Sequence, residues 1–284
     1  MWLNSSMIMY LSSARQYFYQ EVQQPDEQID LAKAALYIAQ EEYPHLDPQE
    51  YINALDTMAD ELQERLPSQS YPLLIIKTIN QYLYDDLGFT GNTKNYYDPE
   101  NSFLNQVIDR RTGIPITLAL VYIEIARRIN FPMSGVGMPG HFLIRPNFPE
   151  MEIFIDAFNR GEILFPQDCQ DKLNQIFNHQ VQLQPEFLAT VNNRNFLARI
   201  LMNLKSIYIH QETPNHLEKA LAVVERLLLL FPQAILEIRD RGLLYYRLGQ
   251  FHLAAKDLET YLNQVPNAQD TITIHHILDQ IRQK

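Results

Sequence analysis

Two side chains near the middle of the chain could do acid–base chemistry together. His141 opens the run His141-Phe142-Leu143-Ile144-Arg145, and Asp156 closes Ile153-Phe154-Ile155-Asp156. Both runs read as short strands. Alternation places His141, Leu143 and Arg145 on one face of the first strand, and Asp156 with Phe154 on one face of the second. Paired antiparallel, the strands let Asp156 face His141 and hold one tautomer of its imidazole, as a carboxylate orients a general base. Upstream, Arg110-Arg111-Thr112-Gly113-Ile114-Pro115-Ile116-Thr117 leads into a helix. A buried helix start offers unpaired N–H groups and a positive dipole end, which suit an oxyanion. Thr117 is the hydroxyl at that start. It is a tentative nucleophile, but a hydroxyl lacks the accessible anion of a thiol, and at a helix start its ordinary role is a cap. Arg110, Arg111 and Arg145 could bind an anion there, or else neutralise carboxylates such as Asp109 and Glu124.

The elements around these residues are mostly helical. Asp26-Glu27-Gln28 opens one expected helix, with Ile29, Leu31, Ala32, Ala35, Leu36 and Ile38 as its stripe. Asp47 caps another, with Pro48 at its first position. A third is expected near Pro72–Leu87, followed by a loop at 88–102 rich in Gly and Asn. A helix near 103–110 comes next. The stretch Ile116–Ile129 is apolar or small nearly all round, as in a central buried helix. Val136, 141–145 and 152–156 are expected strands, 166–190 short helix and loop, and everything from about 193 helix.

The last third repeats. Pro232 and Pro266 are 34 residues apart, as are Ala220 and Ala254, Leu217 and Phe251, and Leu227 and Tyr261. Gly242, Tyr245, Leu248-Gly249, Ala254, Leu258 and Pro266 fall at the offsets of a tetratricopeptide repeat. Repeats are expected at 201–234 and 235–268, with a capping helix at 269–284. The first is degenerate, with Tyr208 where the second has Gly242. The resulting division is 1–190 and 191–284.

A buried helix start, a strand His and an Asp on the next strand is the layout of a papain-like or transglutaminase-like thiol site. Arg110–Thr117, Pro139-Gly140-His141-Phe142-Leu143, Ile155-Asp156-Ala157-Phe158-Asn159 and Ile238-Arg239-Asp240-Arg241-Gly242-Leu243-Leu244-Tyr245 together resemble the bacterial SirB family. The resemblance spans roughly residues 30–270 and implies a transglutaminase-like domain followed by tetratricopeptide repeats. The implied fold is α+β, mostly α, with a small antiparallel sheet. Counted back from Phe131-Pro132, the place of the transglutaminase Cys falls at or beside Pro115, which carries no nucleophile. The single cysteine, Cys169, sits in Pro166-Gln167-Asp168-Cys169-Gln170, where neighbouring acids would raise its pKa. It reads as a structural thiol.

Composition narrows the functional classes. A net charge of −11, from 23 Lys+Arg against 34 Asp+Glu, disfavours nucleic acid and anionic lipid. One cysteine permits no internal disulfide and no Cys-rich zinc site. His141 and Asp156 are too few for a metal, and His275-His276 project at different angles, so no metal and no cofactor are expected. Met7–Leu11 is too short for a signal-peptide core, and no stretch approaches the ~20 apolar residues of a membrane span, so a cytoplasmic protein is expected. Three readings follow. The first is a non-catalytic interaction protein. Its repeat groove, with Lys205, Arg239, Tyr246 and Arg247, would take an acidic or carboxylate-ended peptide. The second is an acyl-transfer or peptide hydrolase with His141 as base, Asp156 as orienter and a nucleophile other than Cys. The third keeps the pocket without the reaction and binds a small anion at His141, Asp156 and the nearby arginines.

Overall fold

Local capping chemistry decides where the first helices begin. The computed structural model describes residues 12–67, 71–148 and 151–283, so Met7–Leu11 lies outside the described residues. Helix α1 (Ser13–Val22) is capped by the Ser12 hydroxyl. Residues Asp26–Gln28 form only a 3-10 turn, and α2 (Leu31–Ala39) starts after Asp30, whose carboxylate accepts from Lys33 N. The expected helix start at Asp26 is thus displaced, because Asp26 is used elsewhere. Its carboxylate accepts from the backbone N–H groups of Asn193 and Arg194 at 2.8 and 3.0 Å, capping a helix far along the chain. Helix α3 (Pro48–Arg65) begins as its cap demands, with Asp47 accepting from Gln49 N and Pro48 in the first turn. Helix α4 (Pro72–Asn80) widens into a π turn over Gln81–Asp86, so the helix expected to Leu87 changes its hydrogen-bond step near its end.

The expected loop at 88–102 contributes to structure. Strand β1 (Thr90–Gly91) pairs in parallel with β2 (Thr112–Gly113), on the far side of α5 (Leu104–Arg110). Helix α6 (Pro115–Arg128) is buried from Pro115 to Ala126, which explains its almost uniformly apolar sequence. A four-stranded antiparallel meander follows: β3 (Met133–Val136), β4 (Leu143–Pro146), β5 (Phe154–Asp156) and β6 (Glu162–Leu164). Ile144 pairs with Ile155. Strand β4 begins at Leu143, so His141 precedes the strand expected to contain it. Gly140 at φ +74° and a turn bond from His141 N to Met138 O hold it there. Strand β6 carries no sequence period long enough to announce it. Helix α7 (Pro166–Phe177) lays Cys169 and Leu173 on Val136, Met138, Leu143, Phe154 and Leu164.

The turn between β5 and β6 is fixed from behind. Asn80 donates from Nδ2 to the Gly161 carbonyl at 2.7 Å and accepts from the Tyr122 hydroxyl at 3.0 Å. A Cβ on Gly161 would lie 2.0 Å from Asn80 Oδ1, and Gly161 already has φ +72°. Both facts demand glycine there.

Helix α8 (Asn193–His210) contains the division between the two structural units, one ending at Ile200 and the other beginning at Leu201. The second unit is helical throughout, with α9 (His216–Leu230), α10 (Ile235–Arg247), α11 (Phe251–Gln264) and α12 (Thr271–Arg282). Ala220 and Ala254, the small residues of the repeat, are fully buried. Gly242 lets α10 approach α11 closely, since a Cβ there would meet Leu258 at 2.9 Å. Arg241 binds the buried Asp257 through Nε and Nη2 at 2.6 and 2.9 Å.

Candidate functional site

The site is built around one carboxylate. Asp156 ends β5 and is fully buried. Its Oδ1 accepts from the backbone N–H groups of Phe158 and Asn159 at 3.0 and 3.2 Å, capping the short turn that follows the strand. Its Oδ2 receives His141 Nε2 at 2.8 Å, Asn159 Nδ2 at 2.8 Å and Lys172 Nζ at 2.7 Å. Burial pushes the Asp156 carboxyl up, but the His141 and Lys172 contacts outweigh it and hold the group well below the usual carboxylate range. With Nε2 on the carboxylate, Nδ1 is the His141 nitrogen left for chemistry.

Sequence reasoning missed three of the residues that shape this centre. Lys172, on α7, shares Oδ2 with the imidazole and also reaches Glu162 at 3.4 Å. Asn159 adds an amide donor. Arg199, on α8, donates from Nη2 to the carbonyls of Met138 and His141 at 3.3 and 3.2 Å, bracing the turn that presents the histidine. Two signals were available: the spacing of Lys172 three residues past Cys169 on one helix face, and Asn159 three residues past a capping Asp. Only Arg199 had none, because its partners are backbone atoms distant in sequence.

The other candidates separate from the pair. Thr117 Oγ1 donates to the Asn101 carbonyl at 2.7 Å and accepts from Ile114 N at 3.1 Å, so the hydroxyl is occupied in capping α6. Arg110 pairs with Asp98 and Glu100. Arg111 donates to the Leu87 carbonyl, and Arg145 lies over the Phe154 ring and reaches the Met151 carbonyl at 3.4 Å. These three arginines are engaged one by one and do not converge on an anion. Cys169 is buried among apolar side chains, and burial, followed by the charge of Asp168, pushes its thiol up to about 12. Among the described residues no group of three or more His, Cys, Asp or Glu side chains could hold a metal ion.

A cavity of about 290 Å³ opens elsewhere in this unit, beside Ile29–Leu31, Ile123–Arg127 and Met133–Gly135. Its buried acid, Glu124, is already paired with Arg127 and Arg128.

The repeat groove differs from expectation. Lys205 is neutralised by Glu237 and Asp240 at 2.7 and 2.5 Å, and Arg239 by Asp240 and Asp270 while lying over Tyr261. Tyr246 donates its hydroxyl to Gln280. Arg247 is exposed. The proposed basic face is therefore largely cancelled by acids on α10 and at the start of α12, which a count of cations alone does not reveal.

A central helix packed on an antiparallel sheet that carries a His–Asp pair, followed by paired helices with a 34-residue period, defines a transglutaminase-like domain joined to tetratricopeptide repeats. The comparisons agree: residues 49–202 match the transglutaminase-like superfamily, and residues 204–279 match the tetratricopeptide repeat. The chain belongs to the transglutaminase-like superfamily, in the group of UPF0162 proteins. It is 36% identical to a UPF0162 protein of Xylella fastidiosa (strain 9a5c), over 89% of this chain and 91% of that one. It is 29% identical to UPF0162 protein YchA of Escherichia coli (strain K12), over 79% and 81% of the two chains. F-box only protein 21 of Homo sapiens is 30% identical over 62% of this chain and 28% of its own length. No solved structure matches. No helix among the described residues is long and apolar enough to cross a membrane.

Proposed function

We propose that this is a non-catalytic binding protein, a transglutaminase-like shell without its nucleophile, whose repeats dock a protein partner in the cytoplasm. The carrying observation is the first turn of α6. Pro115 occupies it, and its one hydroxyl, Thr117, is bonded on both sides as a cap. No thiol compensates, since Cys169 is buried in an apolar cluster with its proton held to about 12. Lys172 strengthens the reading. A carboxylate that assists a general base should give its charge to the imidazolium as it forms. Here an ammonium group shares the same oxygen, so part of that charge is already neutralised. What remains of the site serves shape and recognition.

The competing reading, an acyl-transfer or peptide hydrolase, needs His141 as base, Asp156 as orienter and a water or substrate group as nucleophile. A panel of acyl esters, amides and peptides, followed by mass spectrometry, separates the two. No turnover above the uncatalysed rate is expected from the intact chain or from His141→Ala. Turnover by the intact chain that is lost in His141→Ala would overturn the proposal.

A further inference from the structure

Arg15, Arg65, Arg110, Arg127, Arg128, Arg160 and Arg194 each pair with a carboxylate. Three arginines of the first unit, Arg111, Arg145 and Arg199, have no carboxylate partner among the described residues. Arg111 is exposed and Arg145 lies over the Phe154 ring, so Arg199 is the partly buried one with neither an acid nor a ring contact. Its printed bonds use Nη2 alone, on two carbonyls, leaving the Nε and Nη1 donors of a five-donor guanidinium uncommitted. A partly desolvated guanidinium with uncommitted N–H donors has the capacity to take a further acceptor. Burial lowers its pKa, with Tyr96 near enough to act in the opposite direction.

The surroundings have a ligand site's character. Arg199 braces the carbonyl of His141, whose ring makes an edge contact with Phe158 at 6.2 Å. Phe158 in turn meets Tyr96 at 6.1 Å, and Tyr96 meets Tyr97 at 5.3 Å. Tyr96, Tyr97 and Ile176 are exposed although large and apolar, and Ile176 packs on the Gly140 that precedes the histidine. A linked set of contacts thus joins the Arg199 guanidinium, the His141 turn and the Phe158–Tyr96 aromatic pair.

We propose that this place binds a carboxylate attached to an aromatic or apolar group, the carboxylate taken by Arg199 beside His141 and the apolar group lying on Tyr96 and Phe158. Planar bidentate pairing is what a guanidinium offers a carboxylate, and an exposed aromatic wall suits the side chain next to it. A peptide C-terminus and a free aryl-substituted acid present the same group. This inference deepens the binding reading given above and names its ligand class.

Titration calorimetry on the full-length chain tests it. The probes are N-acetylphenylalanine, its carboxamide, and a tripeptide ending in phenylalanine with a free or an amidated C-terminus. The free acids should bind about tenfold or more tightly than the matching amides. Arg199→Gln should erase that preference and Arg199→Lys keep part of it. Tighter binding of the tripeptide acid identifies a peptide end as the ligand, and tighter binding of the acetylated amino acid identifies a small acid. Acids and amides binding alike, or no acid binding at millimolar concentration, overturns the inference, and this comparison holds on the unaltered chain even if Arg199→Gln fails to fold. Mass spectrometry of the same mixtures keeps the two readings apart. Cleavage of an amide with the acid still preferred refutes the non-catalytic proposal and leaves the carboxylate site standing. Loss of the preference without cleavage refutes the site alone.

Discussion

Replacing Asp156 by Asn tests how far the fold of the first unit depends on the candidate site. The amide oxygen can still accept from the Phe158 and Asn159 N–H groups. The new NH₂ would then point at three donors, His141 Nε2, Asn159 Nδ2 and Lys172 Nζ. Lys172, with a side chain 17% exposed, loses its buried partner and keeps only the exposed Glu162 at 3.4 Å. Breaking a buried pair from one side costs on the order of 3–5 kcal/mol, because the remaining ion keeps its desolvation penalty. For a unit of this size that corresponds to a fall of about 6–20 °C in Tm. Scanning calorimetry of the intact chain and of Asp156→Asn at pH 7 measures it. The pH dependence has a definite sign. The folded carboxyl lies below its unfolded value of about 3.9, so the folded state binds fewer protons. The contribution is therefore fully present above about pH 4 and is lost as pH falls through the lower, folded value. The gap between intact chain and variant should narrow on going from pH 7 to pH 3. A loss under about 1 kcal/mol at pH 7, or a gap that widens in acid, would refute the reasoning.

Two further tests bear on other parts of the molecule. Cys169 should be unreactive toward a disulfide exchange reagent at pH 8 in the folded chain and react fully once denatured, since burial holds its thiol near 12; rapid labelling of the native protein would contradict this. Gly242→Ala should destabilise the second unit by about 1–3 kcal/mol, read from its urea transition, because the added methyl meets Leu258 at 2.9 Å; an unchanged midpoint would show that α10 and α11 can part without cost.

Much of this architecture is legible in the sequence because the signals are local. Asp47-Pro48 states a helix start by itself, and the uninterrupted apolar stretch after Pro115 states a buried helix. The repeat declares itself through small residues at a fixed period. The contact between His141 and Asp156 could be anticipated from two short strands, yet the reason was partly wrong: His141 is delivered by a turn at Gly140 ahead of β4. What stayed hidden depends on distant partners. Asp26 reads as a local cap and instead caps α8, Lys172 draws no notice in the sequence yet binds the Oδ2 of Asp156, and the groove cations read as free while acids some thirty residues on pair with them. Charge pairing of this kind is a property of packing, and one-dimensional spacing does not record it.

The clasp between Asn80 and Gly161 has a consequence for anyone seeking to restore chemistry to this scaffold. It couples the end of an outlying helix to the hairpin that carries the central acid, with no room for even a methyl group between them. Redesign can therefore alter side chains elsewhere around the His141–Asp156 pair, but Gly161, Asn80 and the Tyr122 that holds Asn80 must be inherited unchanged. A graft of the hairpin onto another protein would have to bring its asparagine along.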